Sequence, residues 1–150
     1  MNRAFRFFFM GICALIFWSP VCFAGFTLPP DVYRTAALKD VQAKARSMNV
    51  PIVFLYSDEN SSCGLARKAT LDVVEKLKGC ALIVYVSRND SAGIPSNVIK
   101  AMNSPAAGKF IPKTVAVNPK TGSVEMIIPY IADRDQRIAE IKKIKRIMPK

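Results

Sequence analysis

The chain has 150 residues, with 22 lysines and arginines against 11 acids and no histidine. That length suits one domain with a core of its own. The missing histidine excludes a histidine general base, Ser-His and Cys-His pairs and any histidine-ligated metal. A net charge of +11 favours an anionic partner such as a membrane surface, an acidic protein or nucleic acid; its plainer meaning is a solvated basic surface.

Met1–Arg6 carries Arg3 and Arg6 and no acid, Phe7–Trp18 is an unbroken apolar run, and Ser19–Ala24 ends Val21-Cys22-Phe23-Ala24 with small residues where a signal peptidase reads. Basic, apolar and small-residue regions in that order are the secretory signature. The apolar run is shorter than the roughly 20 residues that span a bilayer. The expectation is therefore a signal peptide over residues 1–24 and a periplasmic or secreted chain beginning at Gly25. Cys13 and Cys22 would leave with the leader. Cys63 and Cys80 would remain in an oxidising compartment, where a thiol needs a reason to stay free.

Residues 25–34 read as an extended lead-in containing Pro29-Pro30, and residues 35–150 as the folded domain. Arg34–Met48 places Leu38, Val41, Ala45 and Met48 at helical spacing, and Asn49-Val50-Pro51 stops that helix. Ile52–Tyr56 is wholly apolar, as a strand buried on both faces should be. After the polar loop Ser57–Ser62, Cys63–Lys78 reads as a helix with Leu65, Ala69, Val73 and Leu77 as its inner stripe, ended by Gly79. Ala81–Val86 is a second doubly buried strand. Ser96–Met102 is a short helix, and Ser104–Ile111 is a loop leading to Pro112. Lys113–Val117 and Ser123–Ile128 are strands joined by Asn118-Pro119-Lys120-Thr121-Gly122, which has hairpin-turn chemistry. Asp133–Met148 is a final helix with Ile138, Ile141, Ile144 and Ile147. Strands separated by helices are expected to run parallel and the last pair antiparallel. The result is a mixed central sheet with helices on both faces.

This order resembles the thioredoxin-like family over about Thr35–Met148. Val53-Phe54-Leu55-Tyr56 leads through a loop to a cysteine at a helix start. Phe110-Ile111-Pro112-Lys113-Thr114 is similar to the family's Ile-Pro-Thr element, whose proline is cis and faces the active-site cysteine. A terminal hairpin and helix complete the match. The resemblance implies a three-layer α/β sandwich with a C-terminal β-hairpin and helix, and thiol–disulfide chemistry. The sequence gives no sign of a metal or organic cofactor.

The family's Trp-Cys-x-x-Cys motif is incomplete. An ungapped match from Val53 puts Asn60 at the first cysteine and Cys63 at the second, with Cys63 a little inside the helix and partly buried. A three-residue slip makes Cys63 the nucleophile and Ala66 the missing partner, and then Asp72 is buried. The ungapped register keeps the inner face apolar and is the preferred expectation. Phe54 stands where the family often has a buried acid. A thiolate at a helix N-terminus is stabilised by unpaired N–H groups and by the helix dipole. Cys80 is no partner for Cys63: the intervening helix separates them by more than about 20 Å, whereas a disulfide needs Cα atoms within about 7 Å. Cys80 reads as a small core hydrophobe.

Two functions follow from the resemblance. One is monothiol exchange: Cys63 reacts, Asn60, Ser61 and Ser62 supply hydrogen bonds around it, and Ile111 and Pro112 present backbone to an extended protein substrate. The other is a binding module without chemistry, assembled with an envelope complex of the secretion, conjugation or maturation kind. The basic last helix (Lys142, Lys143, Lys145, Arg146, Lys150) offers a face for an anionic membrane surface or acidic partner. For nucleic acid the sequence offers charge alone, with no interleaved aromatic motif.

Overall fold

A computed structural model describes residues 27–147, so the signal-peptide expectation for residues 1–24 lies outside it, and the last helix, expected to reach Met148, ends at Ile144. Along the described residues run β1 (Val32–Arg34), α1 (Leu38–Met48), β2 (Ile52–Tyr56), α2 (Gly64–Leu77), β3 (Leu82–Val86), α3 (Ser96–Met102), β4 (Lys113–Val117), β5 (Val124–Ile128) and α4 (Arg134–Ile144). Single 3-10 turns precede α1 and follow α3.

The five strands form one sheet in the order β1-β3-β2-β4-β5. β1, β3 and β2 are mutually parallel, while β4 runs antiparallel to both β2 and β5. β2 and β3 lie inside the sheet and bury nearly every side chain, which explains their continuous apolar runs. One face packs against α1 and α3 through Val41, Ala45, Val98 and Met102. The other packs against α2 and α4 through Val73, Leu77, Ile141 and Ile144. This is the three-layer α/β sandwich with a C-terminal β-hairpin and helix that was expected.

Local chemistry sets the ends. α1 stops at Asn49, whose left-handed backbone (φ 52°) turns its N–H back to the Ala45 and Arg46 carbonyls. α2 stops before Gly79 (φ 72°), where the Cys80 and Ala81 N–H groups return to the Leu77 carbonyl, as glycine at a helix end allows. The Asp133 carboxylate caps α4 by accepting the Gln136 N–H at 2.7 Å.

Three expectations are corrected. The lead-in contains the edge strand β1, three residues long and too short for an alternation to register. β4, though reached through a helix, is antiparallel to its neighbour β2: α3 is only seven residues long, and the segment Asn103–Pro112 brings the chain back to the sheet end it left. Cys80 lies in the turn before β3 and is half-buried rather than a core residue.

Candidate functional site

The carboxyl end of β2 gathers the predicted site. Tyr56, the last residue of β2, pairs with Lys113, so Pro112 stands at the sheet end from which the loop to Cys63 departs. The Ile111–Pro112 peptide is cis, as the resemblance implied. Tyr130 follows β5 at the same end and meets the Phe110 ring edge-on, with centroids 6.4 Å apart. Phe110 is 71% exposed and Leu65 63% exposed, which leaves two large apolar side chains in water at this end.

Cys63 is the N-cap of α2, in extended geometry. It is exposed and its thiol is free. Its carbonyl accepts the Arg67 N–H at 3.1 Å, the first bond of the helix. No side chain caps this terminus and its first turn holds no acid. A helix start leaves its early N–H groups without intrahelical partners, so those of Gly64, Leu65 and Ala66 are available to a group beside the sulfur. A Cβ at Gly64 would meet nothing within 4 Å, so the approach past that residue is open.

These positions differ from the ungapped expectation. Cys63 begins the helix instead of lying within it, and it is exposed rather than partly buried. Ala66, one turn on, is the buried residue in the partner position, while Leu65 faces water. Of the two registers, the three-residue slip is the one that expected Cys63 at the helix start and Asp72 buried, and both are seen. Its apparent defect was the burial of Asp72, and the fold answers it. Asp72 is 6% exposed but accepts from Arg137 through Nη2 at 2.5 Å and Nε at 3.1 Å. Arg134 Nε reaches the other carboxylate oxygen at 3.4 Å. Arg137 Nη1 also donates to the Ile131 and Ala132 carbonyls at 2.6 and 3.2 Å. A buried charge is tolerated when paired and fully hydrogen-bonded. Sequence spacing cannot show that partner, which lies 65 residues away.

Of the loop residues Asn60, Ser61 and Ser62, only Ser61 holds backbone with its side chain. Asp58 organises the turn: its Oδ1 accepts the Asn60 N–H at 2.9 Å and its carbonyl accepts the Ser61 N–H at 3.2 Å. Ser61 Oγ accepts the Cys63 N–H at 3.2 Å. Ser62 and Asn60 are exposed. Glu59 anchors the loop to β1 by a two-pronged ion pair with Arg34, and that carboxylate holds the guanidinium still more firmly protonated.

Beneath the loop lies a polar group that the sequence reading missed. Buried Ser57 shares a 2.9 Å hydrogen bond with Thr70, which also donates to the Ala66 carbonyl. This ties the end of β2 to the first turns of α2. Arg34 stacks over the Tyr85 ring at 5.5 Å. The Tyr85 hydroxyl is buried without a hydrogen-bond partner. Burial, reinforced by Glu59, pushes its pKa up to about 12, and the nearby Ser57 hydroxyl opposes this only weakly. Phe54, at the position of the family's acid, is 1% exposed and purely apolar in its packing. Among the described residues no group of acids, cysteines and histidines could hold a metal ion.

No protein-family model matches the chain, and no curated protein matches it. Among solved structures, it is similar to thioredoxin O2 from Arabidopsis thaliana in the oxidized state, with 18% identity and a TM-score of 0.49 over 80% of this chain and 96% of that one. It is also similar to chloroplastic thioredoxin z, with 13% identity and a TM-score of 0.45 over 80% of this chain and 99% of that one.

Proposed function

We propose that the protein is an exported thiol–disulfide exchanger of monothiol type, acting through Cys63. The observation that carries this reading is one exposed, unpaired thiol at an uncapped helix N-terminus, with Ala66 where a second cysteine would stand. The Cys63 thiolate attacks one sulfur of a substrate disulfide. A new S–S bond forms, the old one breaks, and the other sulfur leaves as a thiolate that takes a proton from water. Ala66 has no thiol to resolve the mixed disulfide, and Cys80 lies past the far end of α2. A small external thiol, such as glutathione, attacks next as its thiolate: its sulfur bonds to the sulfur held by Cys63, the bond to Cys63 breaks, and Cys63 leaves as a thiolate, the new disulfide carrying the oxidation away. Asn60, Ser61 and Ser62 border the sulfur, and Ile111 and Pro112 offer backbone to an extended protein substrate. Export rests on the leader-like residues 1–24.

A second reading is a binding module that uses this sheet end without chemistry, seated on an envelope protein. Exposed Phe110 and Leu65, and the loss of the second cysteine and of the buried acid, favour it. Turnover separates the two. With glutathione present, the first reading expects catalytic reduction of a glutathione–peptide mixed disulfide, abolished in Cys63→Ser. Rates equal to the uncatalysed background would leave the binding module.

A further inference from the structure

We propose that the crevice outside the carboxyl ends of β2 and β3 binds a small carboxylate with an apolar body. β2 and β3 are parallel neighbours, yet the chain leaves β2 for α2 on one face and leaves β3 for α3 on the other. Such a divergence opens a crevice that open α/β sheets use for ligands. On the α3 side of that divergence, lined by no residue of the β2–α2 loop, lies a cavity of about 260 Å³, just below the roughly 300–1,000 Å³ of sites for drug-sized ligands.

Tyr56 and Val86, the last residues of their strands, form its back, and Ile94 and Met102 its apolar wall. Arg88 and Lys113 are its only charged lining residues. Lys113 Nζ donates to the Met102 carbonyl at 2.9 Å, which fixes the ammonium in the wall and leaves two of its three N–H groups free for a ligand. Arg88 is exposed, and no ion pair among the described residues includes it. The acid on the same loop, Asp90, accepts the Thr35 hydroxyl and does not line the cavity. One guanidinium and one tethered ammonium over an apolar wall match a single carboxylate attached to a hydrocarbon group. The crevice lies on the α1 and α3 face, across the sheet from α2, so it does not depend on the Cys63 chemistry.

The carboxylate is either that of a free small molecule or the C-terminus of a polypeptide. The test uses methyl-labelled Cys63→Ser protein, in which the thiol is silent, and follows the Ile94, Ile99 and Met102 methyl signals by NMR. The probes are phenylpropionate, the neutral phenylpropanol, and a short peptide ending in leucine as free acid or amide. Saturable shifts with a carboxylate and not with its neutral counterpart are expected, with affinity falling about tenfold in Arg88→Gln. Saturation by phenylpropionate identifies a free-molecule site; saturation by the peptide acid alone assigns the carboxylate to a polypeptide end. Equal shifts with neutral probes, no saturation by any probe, or unchanged affinity in both Arg88→Gln and Lys113→Met overturns the proposal.

Discussion

Cys63 is exposed because α2 begins one residue after it, and nothing in the core leans on its side chain. Cys63→Ser should therefore change stability by no more than about 0.5 kcal/mol while removing all thiol reactivity at this end; chemical denaturation checks the first point. Ala66→Cys should restore a Cys-x-x-Cys pair one helical turn apart, which oxidation closes to an internal disulfide. Intact mass with and without alkylation reads that closure, and failure to close would return Cys63 to the helix interior. Tyr85 gives a pH prediction. Its folded pKa of about 12 lies above the ordinary tyrosine value of 10.0, so the unfolded chain releases this proton first as pH rises. The stability tied to the neutral hydroxyl is complete below pH 10 and is lost progressively between the two values. Tyr85→Phe should flatten that alkaline decline. It should also raise stability at neutral pH by about 1 kcal/mol, because an unpartnered buried hydroxyl is removed. Urea midpoints at neutral and alkaline pH check both.

At the scale of elements, the bond between α2 and α4 through Asp72 and Arg137 sets how the helix that carries Cys63 lies on the sheet. Asp72→Asn or Arg137→Met should each cost about 3–5 kcal/mol, whereas Asp72→Leu combined with Arg137→Met should recover most of it. Denaturant unfolding of the three variants tests this, and additive losses in the double variant would contradict it. This pair also marks where the sequence stopped being legible. The apolar runs of β2 and β3 and the Asn118–Gly122 turn are local patterns, and they located their elements to within a residue or two, while the isoleucine spacing of α4 found its start but overran its end at Ile144 by four residues. The register of Cys63 was not local. It depended on whether an acid could be buried on α2, and the arginine that permits it comes from the last helix. The hydroxyl cluster of Ser57 and Thr70 was hidden for the same reason, since two ordinary polar residues meet only once α2 lies on the sheet. β1 was missed because three edge residues carry too little pattern.

Over the whole molecule, two groups of features lie apart. The sheet end formed by Cys63, Phe110, Pro112 and Tyr130 is the end proposed to react. The exposed Lys142, Lys143, Lys145 and Arg146 form a basic face on and just past α4. No helix among the described residues is long and apolar enough to cross a membrane. Binding of that face to anionic vesicles is expected to be electrostatic and to fall steeply between low and physiological salt; salt-independent cosedimentation would contradict it. The most direct test of the central claim is intact-mass analysis of the protein, residues 25–150, after exposure to oxidised glutathione. The account predicts one glutathione adduct per chain, mapped to Cys63, released by added reduced glutathione and absent in Cys63→Ser. No adduct, or an adduct carried by Cys80, would contradict it.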